Sequence, residues 1–339
     1  MRATSADGAI GLGNVDPAQG YSRETVDDSL RALGEKLAPA VIGSDPANVH
    51  LVLQRIDAVI PGFFEAKAAI EMACVDLVAR SCGIPVYTYL GGAVKERLLF
   101  NGWIGIVPPD EAAKQALALK NAGFQSAKIK VSDNIKSDHD RVKAVREAVG
   151  PEFNLRIDAN ASYDADTSIK LAHLLLPYNL QLFEQPVPAE DISGMARVRR
   201  ESGGVPIMAD ESVVDHASLI QVIRHDAADI VKVKIMKQGG FLNTSRMICS
   251  AEAAGIRSVI GHGFGLGIST MAETMLAATF RSVMDGLECI GPLNTTDDII
   301  DHRLDLTDGT LSLPKGAGLG ITLDEAKVDR YGFAKSVVT

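Results

Sequence analysis

Three carboxylates fall on a regular beat in this sequence: Asp158 in LRIDAN, Glu184 in LFEQP and Asp210 in IMADES, each 26 residues from the next and each closing a short apolar run. A strand, a loop, a helix and its return loop occupy about that length in consecutive βα units. Neighbouring strands lie about 4.8 Å apart, so three carboxylates at similar height can converge on one hard cation, and without it their mutual repulsion is costly. An oxygen-only set favours Mg²⁺, or Mn²⁺, and the lack of a histidine in it disfavours zinc. Taken singly, each acid reads as well as a helix cap or a rim salt bridge; the shared beat favours the metal. Asp158, Glu184 and Asp210 are the candidate ligands. Glu211, beside Asp210, is expected to point away from them by strand alternation.

Lysines sharpen the picture. Lys128 and Lys130, two apart in SAKIKV, project to one face of an extended segment, and Lys234 closes DIVKVKI. A lysine acts as a general base near neutral pH only when its pKa is lowered, and the Lys128 ammonium plus a divalent cation would both lower that of Lys130. Lys232 shares the face of Lys234. Either it lies deeper and pairs with a carboxylate, or the register slips and Lys237 takes part.

The elements that must position these residues follow from extending the beat. LLFNGWI ends near Ile104, SAKIKV near Lys130, DIVKVKI near Lys234, RSVIGH near His262 and GLECI near Ile290, which with the three acids makes eight strand ends. Between them lie amphipathic stretches such as DEAAKQALALKNAG, DHDRVKAVREAVG, DADTSIKLAHLLLP and FLNTSRMICSAEAAG, with apolar residues at i, i+3 and i+4. Eight strands alternating with helices predict an α/β fold of the (β/α)8 TIM-barrel type. In such a barrel strands 2 and 6 are opposed, so Lys130 and Lys234 would face each other across the mouth with the acids on the arc between them.

Residues 1–95 do not keep the beat and predict a separate α+β capping domain, residues 96–295 the barrel, and 296–339 a segment returning to the cap. Within that tail, LDLTDGTLSL reads as a short hairpin. With 339 residues, 46% hydrophobic and 23% charged, the chain can bury a sizeable core, and a net charge of −9 without a basic stripe excludes a nucleic-acid partner. No signal peptide and no apolar run of about 18 residues is found, which predicts a cytoplasmic protein with no membrane contact. Cys74, Cys82, Cys249 and Cys289 show no C-x-x-C pairing and read as buried free thiols.

Taken together, K-x-K, D-x-N, E-Q-P, D-E-S and K-x-x-K-x-G-G resemble the muconate-cycloisomerase (mandelate racemase/muconate lactonizing enzyme) branch of the enolase superfamily. Supporting stretches are GLG with YSRET, YLGG, ISTMAE and the DGTLSLPKGAGLGIT tail. The resemblance implies Mg²⁺ on Asp158, Glu184 and Asp210, Lys130 and Lys234 as the acid/base pair, and Lys128 holding the carboxylate of a small substrate. It implies removal of a proton α to that carboxylate, which needs a cation beside the carboxylate because such a carbon acid is otherwise too weak for a lysine. Asn160 and His262 are further candidate substrate contacts, His262 reading equally as a capped rim histidine. Assembly as a homo-oligomer is expected.

Three departures stand out. The family usually has two more strands before TSADGAIG; Gly265 stands where the branch often has a glutamate after strand 7; and Glu288-Cys289-Ile290 replaces the D-x-D that holds the substrate amino group in dipeptide epimerases, which counts against that activity. The leading expectation is a metal-dependent isomerase, either a cycloisomerase or a racemase/epimerase, with an acid-sugar or hydroxy-acid dehydratase as the rival. A Schiff-base aldolase would need one strand-end lysine and no acid triad, and a non-catalytic binding barrel would need neither.

Overall fold

The computed structural model describes residues 1–18, 22–132 and 134–339; Tyr21 of the YSRET stretch lies outside them. The chain begins with an antiparallel pair, β1 (Arg2–Thr4) and β2 (Ile10–Leu12), packed on the long helix Phe64–Ser81. A Cβ at Gly11 or Gly13 would meet the Ala73 or Ala69 carbonyl oxygen of that helix at 2.1 and 1.9 Å, which is why the GLG stretch can lie flat against it. Asp76 of the helix binds this layer together. Its carboxylate accepts the Leu12 and Leu319 amides at 2.8 and 2.6 Å and the Arg80 guanidinium at 2.7 Å.

After β3 (Arg97–Leu99) come seven parallel strands in sequence order: β4 (Gly102–Ile104), β5 (Ser126–Lys130), β6 (Asn154–Asp158), β7 (Leu180–Glu184), β8 (Ile207–Ala209), β9 (Ile230–Val233) and β10 (Arg257–Ile260). Residues 283–288 join the two edges. Val283 bridges Ser258, the Glu288 amide donates to Ile260, Leu287 bridges Phe100 and its carbonyl accepts the Asn101 amide. The sheet therefore curls into a barrel-like core whose eighth position is this irregular segment.

Helices fill the intervals because their ends are well specified. Asn134, Asp164 and Asp215 cap Ile135–Val149, Ala165–Leu175 and His216–Arg224 by accepting the amide three residues on. Gly123, in the left-handed region at φ 117°, ends Pro109–Ala122. Outward strand residues such as Ala127, Ile129, Leu155 and Ile157 are buried against these helices. Inside, Leu182, Met208, Ile230 and Val259 form a small apolar plug. Above it the inward positions turn charged, starting with fully buried Arg156.

Two expectations are corrected here. LDLTDGTLSL does not fold back on itself; β11 (Thr310–Ser312) instead pairs antiparallel with β3 over its full length. Beyond it the Gly318 carbonyl accepts the Val86 amide, next to the Leu319 bond to Asp76. Of the four free cysteines only Cys74 and Cys289 are buried; Cys82 follows the end of the 64–81 helix and Cys249 lies on the solvent side of Phe241–Ala253, and both are exposed. Among the described residues no helix is long and apolar enough to cross a membrane.

Candidate active site

The site lies at the C-terminal ends of the strands, around a cavity of about 250 Å³. Parallel register sets its layers. Lys128 of β5 pairs with Arg156 of β6, and one step higher Lys130 pairs with Asp158 and Asp158 with Glu184 of β7. Glu184 in turn pairs with Met208, so Asp210 stands two residues further along, just past the end of β8. The three acids are thus staggered by the tilt of the barrel strands and do not share one height.

Each acid meets lysine. Lys130 Nζ lies 2.7 Å from Asp158, Lys128 Nζ lies 3.1 Å from Asp158 and 2.9 Å from Glu184, and Lys232 Nζ is 3.1 Å from Glu184. Asp210 takes Lys234 at 2.8 Å and Lys237 at 2.6 Å. Lys232 is therefore the deep, paired lysine, and Lys237 joins the site as well without any slip in the register of β9. In this arrangement no three acidic, imidazole or thiol side chains among the described residues are gathered closely enough to hold a metal ion. The donor chemistry still fits a hard cation: three buried carboxylates close neighbouring strands, and ammonium groups already offset their charge.

Glu288, on the closing segment, is the residue that spacing alone did not single out as central. Its carboxylate takes Lys128 and Lys232, each at 2.5 Å, and Arg156 at 3.1 Å. Burial works against its charge, yet Lys128, Lys232 and Arg156 hold it well below the ordinary carboxylate range. Burial likewise opposes the Lys128 charge, but Glu184, Glu288 and Asp158 keep this ammonium well above the ordinary lysine value. Lys128 thus lines the cavity while paired with these three carboxylates. Glu184 is pushed up to about 7 by burial, with Asp158 adding to the shift, and burial draws Lys237 down to about 8 against the pull of Asp210.

Glu211 corrects another expectation. Asp210 and Glu211 lie beyond β8, in a turn where strand alternation no longer operates, and Glu211 folds back toward the acids: Asn160 Nδ2 donates to it at 3.0 Å. Burial and the nearby Asp210 and Asp158 charges raise its pKa. The Asn160 amide oxygen accepts from Lys130. Asn160 and Ala161 have φ of 44° and 63°, and Gln185 has 32°, so left-handed backbone clusters at the ends of β6 and β7. Gln185 explains the E-Q-P and D-E-S motifs together. Its Oε1 accepts the Asp210 and Ser212 amides at 3.0 and 3.2 Å, and its Nε2 donates to Ser212 and to the Val187 carbonyl, each at 2.8 Å.

His262 follows β10 and is buried, its Nε2 against the carboxylate of Asp16, which comes from the segment after β2. Burial would lower its pKa, but Asp16 raises it above the ordinary histidine value. It is thus an ion-paired wall residue rather than a bare rim histidine. Trp103, Phe264 and Ile290 give the cavity its apolar sides, Trp103 and Phe264 about half exposed.

Residues 1–91 match the mandelate racemase/muconate lactonizing enzyme N-terminal domain, and residues 111–327 match the enolase C-terminal domain-like family. The chain belongs to the mandelate racemase/muconate lactonizing enzyme family of the enolase superfamily. Among members of this family, it is 32% identical to the N-succinyl-L-Arg/Lys racemase of Bacillus cereus over all of this chain and 91% of that protein. It is 31% identical to muconate cycloisomerase 1 of Pseudomonas putida over 98% and 89% of the two chains. Its fold superposes on a dipeptide epimerase of Enterococcus faecalis, solved with Mg and the dipeptide L-Leu-L-Tyr, with a TM-score of 0.91 at 30% identity over 95% and 90%. These relatives are isomerases, and this family member is an isomerase too.

Proposed function

We propose that the protein is a Mg²⁺-dependent racemase or epimerase that moves the proton α to the carboxylate of a small acid. The observation that carries the reading is the symmetry of two lysines. Lys130 closes β5 and Lys234 directly follows β9, with β6, β7 and β8 between them, so the two lie on opposite sides of the cavity across the acid arc. Each contacts one acid, at 2.7 and 2.8 Å, and their side chains are 16% and 17% exposed. Matched placement and exposure suit two bases that serve opposite faces of one carbon. A cycloisomerase uses its two sides unequally.

Asp158, Glu184 and Asp210 would hold Mg²⁺, whose charge at the substrate carboxylate would make the α proton more acidic. Lys130 on one face removes that proton while Lys234 on the other returns one, and the roles exchange for the opposite enantiomer. Asn160 holds the Lys130 ammonium, and the apolar walls of Trp103, Phe264 and Ile290 keep water from competing. The segments 1–95 and 296–339 would act together as a cap over the mouth, with Asp16 reaching His262 on its wall. Glu288 is already matched by three cations, which supports a substrate whose nitrogen is blocked or absent over one with a free α-ammonium; the kinship to an N-succinyl amino acid racemase supports the same class.

The test is α-proton exchange in heavy water, followed by NMR, with N-succinyl-arginine of each hand, L-Ala-L-Glu and cis,cis-muconate as probes. Exchange with the N-blocked amino acid, lost with EDTA and restored by Mg²⁺, is expected. Lys130→Ala should abolish exchange from one face and Lys234→Ala from the other. Full exchange in both single variants would refute the two-lysine mechanism.

A further inference from the structure

Lys130 is held by more than its ammonium. Its backbone carbonyl accepts Nη1 of Arg141 at 3.2 Å, and the same guanidinium donates through Nε to the Val107 carbonyl at 2.8 Å. Arg141 is buried on the helix Ile135–Val149 and is itself fixed by Asp138, one turn earlier, at 2.6 Å. The second Asp138 oxygen accepts the Ser132 amide at 3.1 Å and the hydroxyl of buried Tyr163. Val107, Lys130, Ser132 and Tyr163 follow or close β4, β5 and β6. One buried cluster therefore ties three consecutive strand-end loops to each other and grips the main chain of the lysine between them.

Lys234 has a separate holder. Its amide donates to Gln238 Oε1 at 2.6 Å, and Gln238 Nε2 reaches the Val213 carbonyl in the loop after β8 at 3.2 Å. The Arg141 cluster spans the loops after β4, β5 and β6, whereas Gln238 links the loops after β8 and β9, on the other side of the barrel.

We propose that Arg141, Asp138 and Tyr163 form a backbone clamp that positions Lys130, independently of the clamp that Gln238 places on Lys234. The inference rests on the two-lysine reading of the site. None of the three is placed to touch substrate; they act through the main chain of Lys130. A side chain with four rotatable bonds can deliver its nitrogen repeatedly to one place only if its root is fixed, and misplacement by about 1 Å can cost as much as about a hundredfold in rate. The reason for three anchors is the loop itself: after Val131 the strand ladder ends, so ordinary sheet hydrogen bonds no longer hold the segment.

Tyr163→Phe is the decisive variant because it removes only one hydroxyl. The full-length, Mg²⁺-supplied protein is assayed with N-succinyl-arginine of each hand in heavy water, the face served by Lys130 being the one that Lys130→Ala silences. The expected result is a fall of about tenfold in kcat at that face with KM unchanged and the other face within about twofold. Gln238→Met should show the opposite selectivity, and Arg141→Lys should retain more of the Lys130 face than Arg141→Met. Equal losses at both faces in Tyr163→Phe, or no loss at either, would overturn the clamp. Amide hydrogen exchange separates this from failure of the functional reading. If the wild type does not exchange the probe at all, loss of protection at residues 128–132 in Tyr163→Phe with 230–238 unchanged still supports the clamp, and unchanged protection in both segments rejects it.

Discussion

Glu288 shows what single residues contribute here. A carboxylate this deep is tolerated because Arg156, Lys128 and Lys232 surround it, and the converse also holds, since those cations are buried around it. Glu288→Gln keeps the shape and removes the charge, leaving the inner cations in excess by one. Removing one member of such a set costs about 3–5 kcal/mol, and urea unfolding at neutral pH should show a loss in that range. A change below about 1 kcal/mol would mean that water, rather than Glu288, solvates the lysines. The placement of Asp158, Glu184, Asp210, Lys130 and Lys234 at strand ends was legible from spacing, because strand alternation and a constant βα length are local rules. In the sequence Glu288 stands out only as a departure from D-x-D. Its importance depends on Arg156, 132 residues away in sequence, reaching the same layer. The bend of Glu211 toward Asn160 was likewise illegible, since it follows from a turn that ends the alternation.

Elements were easier to read than their joins. The seven parallel strands and most helices fall where the periodicity puts them, but the closing segment 283–288 makes single bridges instead of a ladder, and β11 takes its partner from β3. Both depend on which edge remains open after the rest has folded. The join between the 64–81 helix and the helix Phe241–Ala253 is of this kind. The second helix starts after Gly240, which offers no capping side chain, and Glu71 of the first supplies the acceptors: Phe241 and Leu242 donate to its two oxygens at 2.8 and 2.9 Å. Any Cβ at Gly240 would stand 2.5 Å from that carboxylate, and its φ is 117°, so the residue gives both the room and the turn. Glu71→Ala should cost about 2 kcal/mol, the upper end for a lost cap, and should expose the Phe241 and Leu242 amides to hydrogen exchange. Unaltered protection at those two amides would show that the helix start is held by packing alone.

At the scale of the whole molecule, the N-terminal segment meets the barrel through a patch rich in acid. Asp16, Glu65 and Glu273 lie near His262, with Glu24 beside Glu65, and among the described residues it is Asp16 that pairs with the His262 ring. Glu24 is well satisfied, accepting the Glu65 and Ala66 amides and the Ser29 hydroxyl, whereas Glu65 Oε2 finds no hydrogen-bond partner among the described residues. Burial, and after it the Glu24 charge, push Glu65 up to about 7. The folded protein therefore holds this proton more tightly than the unfolded chain, and the carboxyl costs nothing below about 4.5. Its penalty grows as pH rises toward 7 and is constant above. His262 adds the same sign: its folded pKa is raised, so its contribution is complete below the unfolded value of 6.5 and is lost as pH climbs through the folded one. Glu65→Gln removes the ionisable group and leaves the shape. It should stabilise the protein by about 1–2 kcal/mol at pH 8, after allowance for solvent screening at a partly open site, and by almost nothing at pH 4.5. Chemical denaturation of both proteins at the two pH values provides the measurement. A gain of equal size at both would assign the effect to packing, and a loss at pH 8 would mean that the Glu65 carboxylate is needed, ionised, to hold the segment against the barrel.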